Sequence, residues 1–133
     1  MEFLNAIKER IPDYAKDVRL NLDGAIARSS LDAADAVGAA LAAAYAARSK
    51  PLADMIRGAG VLSDTDANAA LTAAALMGMN NVWYPYLEMA GDEELRTQRA
   101  ELRMNAYATH GGVDKRRFEL FALAASIVGK CHF

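Results

Sequence analysis

Two residues near the C-terminal end could do chemistry: Glu119, in Phe118-Glu119-Leu120-Phe121, and Cys131, in Gly129-Lys130-Cys131-His132. A cysteine acts as nucleophile and redox group in its thiolate form, which a helix N-terminus or adjacent basic groups favour. Lys130 and His132 supply such groups. The ordinary alternative is a cysteine packed as a small hydrophobe near a chain end. Glu119 has Lys115 and Arg116 four and three residues before it, and Ala122 and Leu123 three and four residues after it. It can be an ion-pair partner at a helix entrance, or a partly buried carboxylate held for proton transfer. The residue types alone leave both readings open at both positions.

The other candidates are weaker. His110 lies in Thr109-His110-Gly111-Gly112 and reads as a solvated turn residue. Neither His110 nor His132 falls in a cluster with metal-ligand spacing, so no metal site is expected. The chain has no phosphate loop, nucleophile elbow or dinucleotide fingerprint, and no tightly bound cofactor is expected. The stretch Met77 to Tyr86 gathers the only tryptophan with two tyrosines and two methionines. Such residues could line a pocket, although at helical spacing they more often form core or subunit interface.

Apolar periodicity is helical throughout and no period-2 strand pattern occurs, which makes the fold class all-α with about seven helices. Phe3, Leu4 and Ile7 mark a short first helix. Pro12 opens a second, whose face of Tyr14, Ala15, Val18 and Leu22 ends or is interrupted at Asp23-Gly24. Asp32 can cap an alanine-rich helix over Ala33 to Arg48, stopped by Ser49-Lys50-Pro51. Pro51 starts a helix to about Arg57. Ser63-Asp64-Thr65-Asp66 has the form of a capping box. The helix that follows should kink or end near Val82 to Tyr84, ahead of Pro85. Gly91-Asp92 opens a further segment. Asp114 can cap the last helix, apolar almost all round from Phe118 to Val128 and so expected to be buried. Gly129 is expected to take positive φ at its end. A turn there places Cys131 at the start of a next element.

A chain of 133 residues is one domain by size. Its net charge of −2 leaves no electrostatic footprint for nucleic acid and no polybasic segment for a lipid surface. One cysteine excludes an internal disulfide framework. Met1-Glu2-Phe3-Leu4 lacks signal-peptide character, and no run approaches the ~18 apolar residues of a membrane span. A cytoplasmic protein is expected.

Four blocks resemble the alkyl hydroperoxidase D (AhpD) family of the carboxymuconolactone decarboxylase-like superfamily. They are Ile11 to Leu22 (Ile-Pro-Asp-Tyr-Ala-Lys-Asp-Val), Ala75 to Tyr84 (with Met-Gly-Met-Asn-Asn), Leu102 to Ala106, and Phe118-Glu119-Leu120 leading to Gly129-Lys130-Cys131. The resemblance implies an all-helical protomer assembled as a homotrimer. It implies an antioxidant thiol peroxidase that reduces alkyl hydroperoxides through a Cys-X-X-Cys pair. The electron donor it implies is lipoamide, as dihydrolipoamide on a lipoyl partner protein, and the peroxiredoxin AhpC is a second implied partner. A glutamate on the preceding helix and a histidine after the pair form the family's proton relay. Glu119 matches that glutamate, and Cys131 matches the first cysteine. The second cysteine, the relay histidine and the closing helices would fall beyond Phe133. The chain therefore reads as one AhpD-like domain, residues 1–133, incomplete at its C-terminus and expected to be inactive as written. Two alternatives remain: a non-catalytic helical oligomerisation or interaction module on the same scaffold, and the superfamily's decarboxylase branch, which the placement of Glu119 and Cys131 argues against.

Overall fold

Side-chain caps start the principal helices where the sequence predicts. Asp32 accepts from the Asp35 amide at 2.8 Å and opens α3, Ala33–Ala46. Ser63 accepts from the Asp66 amide at 3.1 Å and opens α5, Asp64–Ala90. Asp114 accepts from the Arg117 amide at 2.8 Å and opens α8, Lys115–Val128. Each bond satisfies an amide that the first helical turn leaves without a partner. The computed structural model describes residues 1–131, and no strand occurs among them. The fold is all-α. The remaining helices are α1, Glu2–Glu9; α2, Lys16–Leu22; α4, Lys50–Gly58; α6, Glu93–Arg96; and α7, Asn105–Ala108. None of the helices is long and apolar enough to cross a membrane.

The core is where α3, α5 and α8 meet. Val37 and Leu41 of α3, Ala69, Ala70 and Ala73 of α5, and Phe118 and Phe121 of α8 are all completely buried. Full burial of each phenylalanine is worth about 1.5–3 kcal/mol. The alanines let the helix axes approach, and at one point only glycine fits. A Cβ on Gly38 would lie 2.3 Å from Phe121 Cζ, so the ring of α8 rests on the bare backbone of α3. Leu4 and Ile7 of α1 and Ile56 of α4 close the other side of this cluster.

Several local expectations need correction. Helix α5 does not stop before Pro85 but runs 27 residues to Gly91, whose φ of 62° ends it. Proline removes one ladder donor. Here the loss falls in a half of the helix where no residue from 77 to 90 is buried, so water can reach the freed carbonyl. The interruption at Asp23-Gly24 is a π-helical turn, Asp23–Ala27, that continues α2. The face expected from Tyr14 to Leu22 is only partly inward: Leu22 packs on the core, whereas Tyr14 and Val18 are exposed. Helix α8 is not buried all round. Phe118, Phe121, Ala122 and Ala125 face the core, while Leu123 and Ile127 are 57% and 64% exposed. Its apolar composition serves two faces, only one of which is covered.

Candidate functional site

The start of α8 is fixed by charge. Arg117 donates from Nε to Asp35 Oδ1 at 2.7 Å and from Nη1 to Asp66 Oδ1 at 3.1 Å, and its Nη2 lies 3.4 Å from Asp32 Oδ2. Arg116 reaches Asp35 Oδ2 at 2.8 Å. One guanidinium thus ties the first turns of α3, α5 and α8 together. Asp35 is 2% exposed, the one buried charged residue among those described. Burial opposes its ionisation, but the hydrogen bonds and charges of Arg117 and Arg116 outweigh that and hold its carboxyl below the ordinary aspartate range. Both guanidinium groups are pushed further up in turn by Asp35. The capping box at Ser63 is made on one side only, because the Asp66 carboxylate is turned toward Arg117.

Glu119 lies in the second turn of α8, with its side chain 51% exposed and Oε1 3.8 Å from Lys115 Nζ. Of the two basic neighbours that its spacing offers, Lys115 stays near it and Arg116 crosses to α3. From Glu119 to Val128 the helix rises about 14 Å. No hydrogen bond or ion pair joins Glu119 to Cys131.

The end of α8 sets the position of Cys131. Gly129 keeps right-handed helical backbone (φ −74°), and its amide still donates to Ala125. The left-handed residue is the next one, Lys130, with φ of 56°. This corrects the expectation of positive φ at Gly129: the helical ladder runs one residue further, so the reversal moves one residue on. The Lys130 amide then donates to Ile127 and the Cys131 amide to Ser126, each at 3.0 Å. This is the double closure of a Schellman motif. Cys131 is half-buried and follows that closure directly. The turn is pinned from α5 as well, where Asn81 Nδ2 donates to Ser126 Oγ at 3.2 Å.

Beside the turn lies a cavity of about 940 Å³ whose lining mixes apolar residues such as Leu41, Leu71 and Met77 with the charged Arg48, Asp54 and Arg57, and which includes Gly129 but not Cys131. Of the Met77 to Tyr86 patch, Met77 packs against the core, while Met79, Val82, Tyr84 and Tyr86 are exposed. Apart from Met77, these residues are therefore not protomer core. His110 is less solvated than its turn suggests: it is half-buried, with its ring centroid 6.3 Å from that of Phe118. His132 lies outside the described residues.

Asp35 escaped the sequence reading, although a signal was present. It occupies the same face of α3 as Gly38, Leu41 and Ala42, all buried. A carboxylate on an apolar stripe needs a partner from another element. The arrangement provides a half-buried thiol at a hydrogen-bonded turn, a cavity of mixed polarity beside that turn, and an accessible carboxylate earlier on the same helix.

No family model matches the chain. Individual relatives do. The chain is 45% identical over 130 residues to the alkyl hydroperoxide reductase AhpD of Rhodospirillum centenum, an alignment that covers 96% of this chain and 69% of that protein. It is 46% identical over 127 residues to the alkyl hydroperoxide reductase AhpD of Frankia alni, covering 94% and 68%. With the protein of the same name from Coxiella burnetii it shares 38% identity over 133 residues, covering 96% and 75%. Likeness of this extent, across helices whose packing, caps and C-terminal turn have been described, decides the matter: the chain belongs to the alkyl hydroperoxide reductase AhpD family.

Proposed function

We propose that this chain carries the peroxide-reducing chemistry of an alkyl hydroperoxide reductase, with Cys131 as the redox-active thiol and Glu119 as the proton-transfer group. The observation that carries this reading is the 38–46% identity to proteins of that name along nearly the whole chain. The cavity beside the turn that precedes Cys131 supports it, since the apolar part of its mixed wall suits the organic group of an alkyl hydroperoxide. The Cys131 thiolate attacks the terminal peroxide oxygen and the O–O bond breaks. The alkoxide leaves and takes up a proton as the alcohol, and Cys131 becomes a sulfenic acid. A second thiol then condenses with it to a disulfide and releases water. Two electrons from a dithiol, dihydrolipoamide on a lipoyl protein, restore the thiols. The peroxiredoxin AhpC is a further partner in this reading. A homotrimer would cover the apolar face of α8 that carries Leu123 and Ile127, and the cytoplasm is the compartment where such a thiol stays reduced.

The 133-residue polypeptide holds one thiol. By itself it should therefore give one oxidation event per chain and no lipoamide-dependent steady state. Treatment with cumene hydroperoxide and dimedone, followed by peptide mass spectrometry, should place a sulfenic-acid adduct on Cys131. In a version that also carries the family's second cysteine and relay histidine, Glu119→Gln, which keeps the shape but cannot exchange a proton, should lower peroxidase turnover about 10²-fold without loss of helicity. Cys131 labelling no faster than free cysteine would instead favour the non-catalytic module, the reading that the exposed apolar faces support.

A further inference from the structure

We propose that Asp35 is a positioning residue for Glu119: it draws the Arg116 guanidinium across to α3 and leaves the Glu119 carboxylate to Lys115 alone. On α8, Lys115 and Arg116 stand four and three residues before Glu119, and side chains at both spacings meet on a helix surface. Arg116 does not take that partner. Its Nη2 lies 2.8 Å from Asp35 Oδ2, while Lys115 Nζ stays 3.8 Å from Glu119. Arg117, the other guanidinium of the first turn, is held by Asp35, Asp66 and Asp32. The competition is unequal. Asp35 is buried, and without Arg116 its Oδ2 would lose its partner while Arg117 holds only Oδ1, a larger cost than an exposed helical pair gains.

A guanidinium forked onto Glu119 would occupy its lone pairs and hold it as the anion. A lysine ammonium at 3.8 Å makes no such fork. The buried aspartate therefore keeps the surface carboxylate free to accept and return a proton. The charged groups involved are Lys115, Arg116 and Arg117 on α8, Asp32 and Asp35 on α3, and Asp66 on α5. Among the described residues, no other charged side chain lies within ion-pair distance of Glu119. The inference rests on the reading of Glu119 as the proton-transfer group.

The test is a double-mutant cycle read by carboxyl-carbon NMR of glutamate-labelled protein, without peroxide. In Asp35→Asn, Arg116 is released, and the titration midpoint of Glu119 should fall by about 0.2–0.4 pH unit. Adding Arg116→Gln in that background should restore it. In the otherwise unchanged protein, Arg116→Gln should move the midpoint by less than about 0.1 unit, because Arg116 is already engaged. Equal effects of Arg116→Gln in the two backgrounds would overturn the proposal, as would an unchanged midpoint in Asp35→Asn. If Asp35→Asn does not fold, Arg116→Gln alone decides, and a shift above about 0.2 unit overturns it. Since no turnover is measured, a failed peroxidase assay beside the expected titrations would reject only the enzymatic reading.

Discussion

Lys130 holds a left-handed backbone that glycine would hold at lower cost. Its side chain is exposed, and its conformation is imposed by the two amide bonds that close α8. Lys130→Gly should therefore stabilise the chain by about 0.5–1 kcal/mol, a gain that thermal unfolding would register as a rise in Tm. Asp35 gives the opposite case. Its carboxyl titrates below the ordinary 3.8, so its ionised form favours the folded state above that pH. That contribution is lost as the pH falls through the depressed value. Asp35→Asn should cost about 2 kcal/mol near neutrality, less than a fully buried pair because Arg116 is largely solvated. The gap to the unchanged protein should narrow below pH 3.8 in urea titrations. At this scale the sequence was legible where chemistry is local. The caps at Asp32, Ser63 and Asp114 follow from residue type and position. The pairing of Asp35 with Arg116 and Arg117, more than 80 residues away in the chain, does not, because it depends on which helices become neighbours. Cys131 and Glu119 could be singled out as chemistry-bearing. The fork between Lys115 and Arg116 could be resolved only once α3 lay beside α8.

Among the elements, the tightest fit is α3 against α8. Gly38→Ala places a methyl where Phe121 now rests, and neither backbone can yield without disturbing the Val37 and Leu41 layer. The better helix propensity of alanine returns up to about 1 kcal/mol. Overpacking should still leave a net loss of about 1–2 kcal/mol, visible as a lower urea midpoint. Phe121→Leu in the same protein should relieve much of that loss. Helix type and the starts of the principal helices were readable from periodicity and punctuation, but the reach of α5 was not, nor was the splitting of the segment after Gly91 into the two four-residue helices α6 and α7. A proline rule presumes a packed helix whose lost hydrogen bond cannot be made good. Beyond Leu76 no residue of α5 is buried, so the rule loses its force. Likewise, the apolar run of α8 suggested complete burial, because composition does not distinguish a surface covered by its own chain from one left open.

At the scale of the molecule, these open surfaces are the main feature. Leu123 and Ile127 on α8, and Val82, Tyr84, Tyr86 and Met89 on α5, are exposed. Patches of this kind associate in water. Multi-angle light scattering at micromolar concentration should find an oligomer, with a trimer expected, and Ile127→Lys should weaken it. A monodisperse monomer would contradict the expectation. Helix α5 carries a further consequence. It is about 40 Å long, yet only its first half is anchored in the core. Its amides should therefore exchange with deuterium in two regimes. Those near Ala69 to Leu76 should wait for global unfolding, and those beyond Asn80 should open by local fraying within a much shorter time. Pro85 contributes no amide and divides the second set. If protomers associate through the outer half, its exchange should slow with protein concentration while that of the inner half stays constant, so one helix would report folding at one end and assembly at the other.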